Sequence, residues 1–217
     1  MNPNAYLLKD ILKPEMKATR DGYGEGLVLA GEKNKNVVVL CADLTESTRS
    51  LAFQKKFPER FVELGVAEQN MASVAAGMAL EGKVPFVSSY ATFSPGRNNE
   101  QIRTTIAYNE ANVKIAGAHA GISVGPDGAT HQALEDIGLM RMLPGMTVIV
   151  PCDYEEAKKA TVAAAEMAGP VYLRFGREKS PMMTTSHTPF KIGRAEVFKD
   201  GRDAVIFACG PLVYNAL

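Results

Sequence analysis

Glu68 is the most informative single residue of the sequence. It stands at the start of Ala67 to Leu80, where Met71, Ala72, Val74, Ala75, Ala76, Gly77, Met78, Ala79 and Leu80 make a helix apolar on every side. Such a helix is expected to be buried all round, and a carboxylate in its first turn would be poorly solvated, where desolvation works against its charge. An acid in that position can exchange a proton with a ligand, or it can do no more than complement the positive end of the helix dipole. His119 and His131, two of only three histidines, flank the loop Gly121-Ile122-Ser123-Val124-Gly125-Pro126-Asp127-Gly128. Its three glycines let backbone approach a ligand closely, and the two imidazoles with Asp127 offer hydrogen bonds to hydroxyls or phosphate. The spacing matches no metal-ligand pattern, so no metal site is expected, and His131 has a plain alternative in pairing with Glu135. Tyr90 and Phe93 in Ser89-Tyr90-Ala91-Thr92-Phe93 are either a platform for a ring or ordinary core. Arg20, Arg49 and Arg177 are individually uninformative. Gly22-Tyr23-Gly24-Glu25-Gly26 follows no strand and lacks the spacing of a dinucleotide-binding turn, so tight helix packing is the better account of it.

The elements that must position these residues read as an alternation of apolar runs and amphipathic segments from about residue 19 to residue 177. Strands are expected at Val37 to Cys41, Phe61 to Leu64, Val84 to Ser88, Val113 to Gly117, Thr147 to Val150 and Val171 to Arg174. Helices are expected at Thr19 to Glu32, Ala67 to Leu80, Asn99 to Tyr108, Gln132 to Met142 and Asp153 to Ala168. Continuous apolar strands separated by helices predict an α/β fold: a doubly wound, mostly parallel six-stranded sheet with helices on both faces. Ligands of such sheets bind beyond the carboxyl ends of the strands. Asp43 and Ser47 follow the first strand, Glu68 the second, Tyr90 and Phe93 the third, His119, Asp127 and His131 the fourth, and Arg177 the last. Together these types suit a phosphorylated polar substrate.

Lys179 to Gly193 is rich in Pro, Thr, Ser and Met without periodicity and reads as a linker. Ala204 to Ala208 reads as a buried strand and Leu212 to Leu217 as the opening of a helix, so residues 194–217 look like the start of a further domain. The 217 residues carry 24 Lys and Arg against 24 Asp and Glu, with no basic run, which leaves no source of affinity for nucleic acid. With 46% hydrophobic and 22% charged residues the composition is that of a globular domain rather than a disordered or fibrous chain. No stretch reaches the length of a membrane span and Met1 to Met16 has no apolar signal core, so a cytoplasmic protein is expected. Cys41, Cys152 and Cys209 have neither disulfide nor zinc spacing and read as reduced, buried thiols.

Glu63-Leu64-Gly65-Val66-Ala67-Glu68-Gln69-Asn70-Met71, read with Gly125-Pro126-Asp127-Gly128-Ala129-Thr130-His131-Gln132, resembles the transketolase family of thiamine-diphosphate enzymes. The likeness runs from about Lys17 to Arg177 and includes Lys17-Ala18-Thr19-Arg20, Ala42-Asp43-Leu44-Thr45 and Leu143-Pro144-Gly145-Met146. It implies a pyrimidine-binding domain at 17–178, preceded by an extension at 1–16 and followed by a linker at 179–193 and the truncated start of a C-terminal domain at 194–217. It further implies a separate diphosphate-binding subunit that carries Mg2+ or Ca2+, shared thiamine diphosphate, and a homodimer or heterotetramer, with pairing expected through the apolar helix that begins near Glu68. The implied activity is ketol transfer between phosphorylated ketose and aldose sugars. Glu68 matches the glutamate that shares a proton with the aminopyrimidine ring, Tyr90 and Phe93 the aromatic residues against that ring, and Asp43 and Leu44 its surroundings. His119 and His131 match substrate histidines, Asp127 an aspartate for a sugar hydroxyl, and Arg20, Ser47, His119 and Arg177 the residues that hold a terminal phosphate. The segment Ser94 to Asn99 aligns only with a shift, and Arg97 receives no role. A deoxyxylulose-phosphate synthase, a 2-oxo acid dehydrogenase beta subunit and a non-catalytic scaffold are the competing readings. The synthase normally carries all its domains on one chain, the dehydrogenase has a different loop before His131, and a scaffold has no need of these polar residues together.

Overall fold

The computed structural model describes residues 1–217. Along the chain lie β1 (Met16–Ala18), α1 (Thr19–Lys33), β2 (Val37–Cys41), α2 (Leu51–Lys56), β3 (Phe61–Glu63), α3 (Glu68–Leu80) and β4 (Val84–Tyr90). There follow α4 (Asn99–Gln101), β5 (Lys114–Ala118), α5 (Asp136–Arg141), β6 (Thr147–Ile149), α6 (Tyr154–Glu166), β7 (Val171–Arg174), β8 (Lys179–Pro181) and α7 (Leu212–Ala216). Six strands form one parallel sheet in the order β3-β2-β4-β5-β7-β6, the doubly wound α/β architecture that the alternation of runs predicts.

The sheet is covered on both faces because its strands are apolar on both. Val38 and Leu40 join Met71, Ala72 and Ala75 of α3, Val87, Ile106 and Ile115 in one core, while Val37 and Val39 join Tyr23 and Leu27 of α1, Phe86, Ala160 of α6 and Leu173 in the other. This is the two-residue period of a strand divided between two layers. The glycines of α1 serve the second layer: a Cβ on Gly26 would stand 2.7 Å from Thr161 Cβ of α6, and one on Gly24 2.7 Å from Arg49 Cβ. The packing account of Gly22 to Gly26 therefore holds.

Several elements differ from expectation, each for a local reason. Helix α3 is not buried all round: Gln69, Asn70, Ser73 and Gly77 are exposed, forming a stripe of small and polar residues that ends on the exposed Leu80 and that no element of this chain covers. The helix expected at Asn99 to Tyr108 runs as α4 and then as a π-helix, Ile102–Ala107. The helix expected from Gln132 begins only at Asp136, because Ala133 bridges back to Gly121. The stretch from Lys179 opens with β8, which pairs antiparallel with β1, and its Met183 and Thr184 are buried. Asp153 anchors them, accepting hydrogen bonds from Met183 N at 2.8 Å, Thr184 N at 2.7 Å and Thr184 Oγ1 at 2.7 Å while also capping α6 through Glu156 N at 3.0 Å. No strand forms at Ala204 to Ala208: with no neighbouring strand to pair with, Val205 and Phe207 stand exposed. Cys41 and Cys152 are buried as expected, but Cys209 is exposed. Helix α2 has no counterpart in the sequence reading.

Candidate active site

The carboxyl ends of β2 and β4 lie side by side where the winding of the sheet reverses, the place at which open α/β sheets bind ligands. Asp43, just past β2, takes a left-handed backbone conformation with φ of 57°, and His119, just past β5, does the same at 56°. Non-glycine residues adopt that region at a cost and do so often at functional sites. Around Asp43 the chain is held by Glu63 of β3, whose carboxylate accepts from Asp43 N at 2.7 Å, Thr45 Oγ1 at 2.9 Å and Gly65 N at 3.0 Å. Leu44, half-buried in the same loop, accepts from Thr48 N at 2.9 Å.

Arg20, in the first turn of α1, ties two strand ends together. Its Nη1 donates to Ser47 O at 2.9 Å and meets His119 Nε2 at 3.3 Å. A guanidinium only donates, so Nε2 must accept and the imidazole proton sits on Nδ1. His119 is 1% exposed, and burial together with Arg20, Arg177, Arg49 and His131 pushes its pKa down to about 3. The ring is therefore neutral at any physiological pH. Burial, with Arg49 next, also lowers the pKa of Arg20. His119 Nδ1 and Arg20 Nε are both buried donors without a partner, and they sit on adjacent side chains. Each is left for an acceptor that this chain does not supply.

Four rings meet beside this pair. Tyr90 stacks on His119 with centroids 3.8 Å apart and lies nearly parallel to Phe93 at 6.0 Å. His131 sets its edge against Phe93 at 5.3 Å and Tyr90 at 6.2 Å. Its Nδ1 bonds to Thr130 Oγ1 at 2.9 Å, so the alternative pairing with Glu135 is not what holds it. Arg177 reaches the glycine-rich loop, where a Cβ on Gly125 would come within 2.8 Å of its Nη1, and that same nitrogen bonds Glu178 Oε1 at 2.5 Å. Asp127 is exposed in a short 3-10 turn of the loop, and like Asp43, Leu44 and Arg177 it is not joined by these contacts to the rings or to the Arg20–His119 pair.

Glu68 is 1% exposed at the start of α3, as the residue pattern requires. Its charge is not left alone: Arg97 Nη1 donates to Oε2 at 2.8 Å, and Asn98 Nδ2 donates to the Glu68 carbonyl at 3.1 Å. The Arg97 guanidinium also stands 4.5 Å from the centroid of Phe93, linking the carboxylate to the aromatic group. Sequence reasoning missed Arg97, although a buried acid demands a cation and Arg97 is the first arginine after the aromatic pair. It also missed Glu63 and a buried trio under the neck of the loop. There Asp136 Oδ2 accepts from Tyr172 OH and Arg174 Nε, both at 2.7 Å, and Gly121 N donates to Ala133 O at 2.8 Å. No group of three or more His, Cys, Asp or Glu converges as a metal site, and no helix is long and apolar enough to cross a membrane.

A buried carboxyl joined through Arg97 to parallel aromatic rings, with the Arg20–His119 pair stacked on those rings, fits a heteroaromatic cofactor and an anionic substrate. Residues 15–182 match the family described as transketolase, pyrimidine binding domain. A Methanocaldococcus jannaschii protein named for a transketolase C-terminal section is 48% identical over 203 residues, covering 93% of this chain and 64% of its own. One of the subunits of an apulose-4-phosphate transketolase from Phocaeicola vulgatus is 36% identical over 202 residues, covering 93% and 65%. Among solved structures, one described as a split gene transketolase, inactive beta4 tetramer, superposes with a TM-score of 0.83 at 47% identity, covering 92% of this chain and 64% of that one. The transketolase of Campylobacter jejuni superposes with a TM-score of 0.71 at 28% identity, covering 83% of this chain and 28% of its own. The chain thus spans just under two thirds of the first three of these relatives.

Proposed function

The chain belongs to the transketolase family, as a pyrimidine-binding domain, and we propose that it is the pyrimidine-binding subunit of a split transketolase, catalysing ketol transfer between phosphorylated sugars only with a separate diphosphate-binding subunit. The observation that carries this reading is the buried Glu68 carboxyl at the start of α3, facing the Phe93 side of the ring cluster. Thiamine diphosphate, when bound, supplies the nucleophilic carbon and electron sink needed to break and remake the carbon-carbon bond beside a ketose carbonyl.

This chain's residues do the rest. Glu68 would face the cofactor's pyrimidine ring with its carboxyl, the group of this chain able to take up or give a proton there, in a buried place. Tyr90 and Phe93 cover that ring, with Asp43 and Leu44 beside it. Arg20, Ser47, His119 and Arg177 bind the terminal phosphate of the sugar, the two guanidiniums supplying the positive charge. Asp127 and His131 approach the sugar hydroxyls from the glycine-rich loop, and His131 assists proton movement at them. The reading assigns the domain to 17–178, with 1–16 an extension, 179–193 a connecting segment and 194–217 the beginning of a C-terminal domain. The metal, Mg2+ or Ca2+, belongs to the partner with the cofactor's phosphates, and the assembly is a homodimer or heterotetramer in the cytoplasm. The uncovered stripe of α3, beginning one residue after Glu68, supports an intersubunit contact next to the site.

The reading is tested by assaying transfer from xylulose 5-phosphate to ribose 5-phosphate with the chain alone and after adding the diphosphate-binding subunit. Activity is expected only in the mixture. Turnover by the chain alone would overturn the split-subunit assignment, and an inert mixture that still binds the cofactor would favour another member of the superfamily.

A further inference from the structure

We propose that Arg97 is an internal stand-in for the cofactor's aminopyrimidine ring, occupying its place until the ring displaces it; this inference rests on the function proposed above. The guanidinium makes the contacts that a planar, hydrogen-bonding ring would make there. Its Nη1 donates to Glu68 Oε2 at 2.8 Å, and its central carbon lies 4.5 Å from the Phe93 centroid. Guanidinium groups stack on aromatic faces and pair with carboxylates in this manner.

The backbone that presents Arg97 is fixed, whereas the side chain is not. Asn98, fully buried, donates to both the Glu68 carbonyl and Ser94 Oγ at 3.1 Å, and a Cβ on Gly96 would run into the Thr92 carbonyl. The Arg97 side chain is 45% exposed against 1% for Glu68. Rotation of one partly solvated side chain therefore clears the carboxylate and Phe93 with no movement of the turn. Uncovering Glu68 without replacing its partner would strand a buried charge, which is strongly unfavourable. Arg97 is thus released only by a group that restores a hydrogen bond to Oε2, and binding becomes an exchange of one planar partner for another.

The test is calorimetric titration of thiamine diphosphate with Mg2+ into the full chain assembled with its diphosphate-binding partner, comparing wild type, Arg97→Met and Arg97→Lys after thermal melts have verified folding. Removing the competitor is expected to tighten binding about three- to tenfold in Arg97→Met, the scale of an ion pair with one partner half-exposed, with Arg97→Lys in between. Guanidinium ion well below denaturing concentrations, set against equal sodium chloride, is expected to weaken binding to Arg97→Met more than to wild type. Unchanged or weaker binding by Arg97→Met, or no selective effect of guanidinium, would overturn the stand-in role and leave the proposed function intact. No binding by the wild-type complex would overturn both.

Discussion

Replacing Asp153 with asparagine tests whether the segment after β8 is part of the fold. Four donors converge on the two oxygens of this fully buried carboxylate: Glu156 N and Thr184 Oγ1 on Oδ1, and Met183 N and Thr184 N on Oδ2. Asparagine fills the same volume, so no cavity arises, but it offers one oxygen and turns an NH2 toward the other pair of donors. With the amide oxygen in the place of Oδ1, Met183 N and Thr184 N both lose their acceptor; with the NH2 there, only Glu156 N does, because the Thr184 hydroxyl turns to accept from Nδ2, so the favoured orientation leaves one buried donor unpaired at about 1–3 kcal/mol. For a domain of this size each kcal/mol moves the melting temperature by about 2–4 °C, so Asp153→Asn is expected to melt about 2–12 °C lower. The assay is thermal denaturation of the full chain followed by circular dichroism, with limited proteolysis reporting where it opens first. Early cutting is expected between residues 182 and 190. The consequence reaches the candidate site, because β8 pairs with β1 immediately before Arg20 and follows directly on Arg177. A melting temperature at or above that of wild type would refute the reasoning.

Lys114 gives a second prediction. It is fully buried in β5 with Nζ on Asn112 Oδ1 at 2.6 Å and on Met167 O and Gly169 O at 2.7 Å, and burial lowers its pKa to about 7. Between pH 7 and the unfolded lysine value of about 10.4 the unfolded chain holds a proton that the native chain has released, so stability rises with pH across that window. Urea melts at pH 7 and 9.5 are expected to show this gain in wild type and not in Lys114→Met; equal gains in the two would contradict it. His119 behaves as the acid-side counterpart. With a folded pKa of about 3 it stays neutral while the unfolded histidine titrates near about 6.5, so its contribution is complete above that pH and is lost as the pH falls toward 3. Histidine NMR is expected to show the neutral, Nδ1-protonated form of His119 at pH 5, and a titration midpoint near neutrality would exclude the buried arrangement with Arg20.

The sheet was legible because Val37 to Cys41, Val84 to Val87 and Val171 to Leu173 are short apolar runs rich in β-branched and aromatic residues and separated by helical segments, the pattern of doubly covered parallel strands. The site was legible in part because residues just beyond the strand ends of a parallel sheet gather at one edge, as Ser47, Tyr90, Phe93, His119 and His131 do, whereas Arg20, which precedes the sheet's first strand, was singled out only by the family resemblance. The contacts that no single-segment pattern encodes were not legible. Glu68 with Arg97, Asp136 with Arg174 and Asp153 with Thr184 join residues about 30 or more apart, and each satisfies a buried charge that composition alone leaves unassigned. Helix α3 misled because apolar and small residues look alike to periodicity: Ser73 and Gly77 face outward, and an all-round apolar reading hides that face. At Ala204 to Ala208 a strand-like composition met no partner strand, and propensity without pairing does not make a strand.

The most direct test of the account is Glu68→Gln in the complete complex. Glutamine keeps the length and the hydrogen-bonding of the side chain but cannot carry the exchanged proton. With thiamine diphosphate and Mg2+ present, ketol transfer from xylulose 5-phosphate to ribose 5-phosphate is predicted to fall at least about 100-fold, the scale of a lost general acid-base group, while the complex elutes and melts as wild type does. Transfer within about threefold of wild type by that intact complex would contradict the role given to Glu68, since a proton-exchanging group cannot be lost at so small a cost.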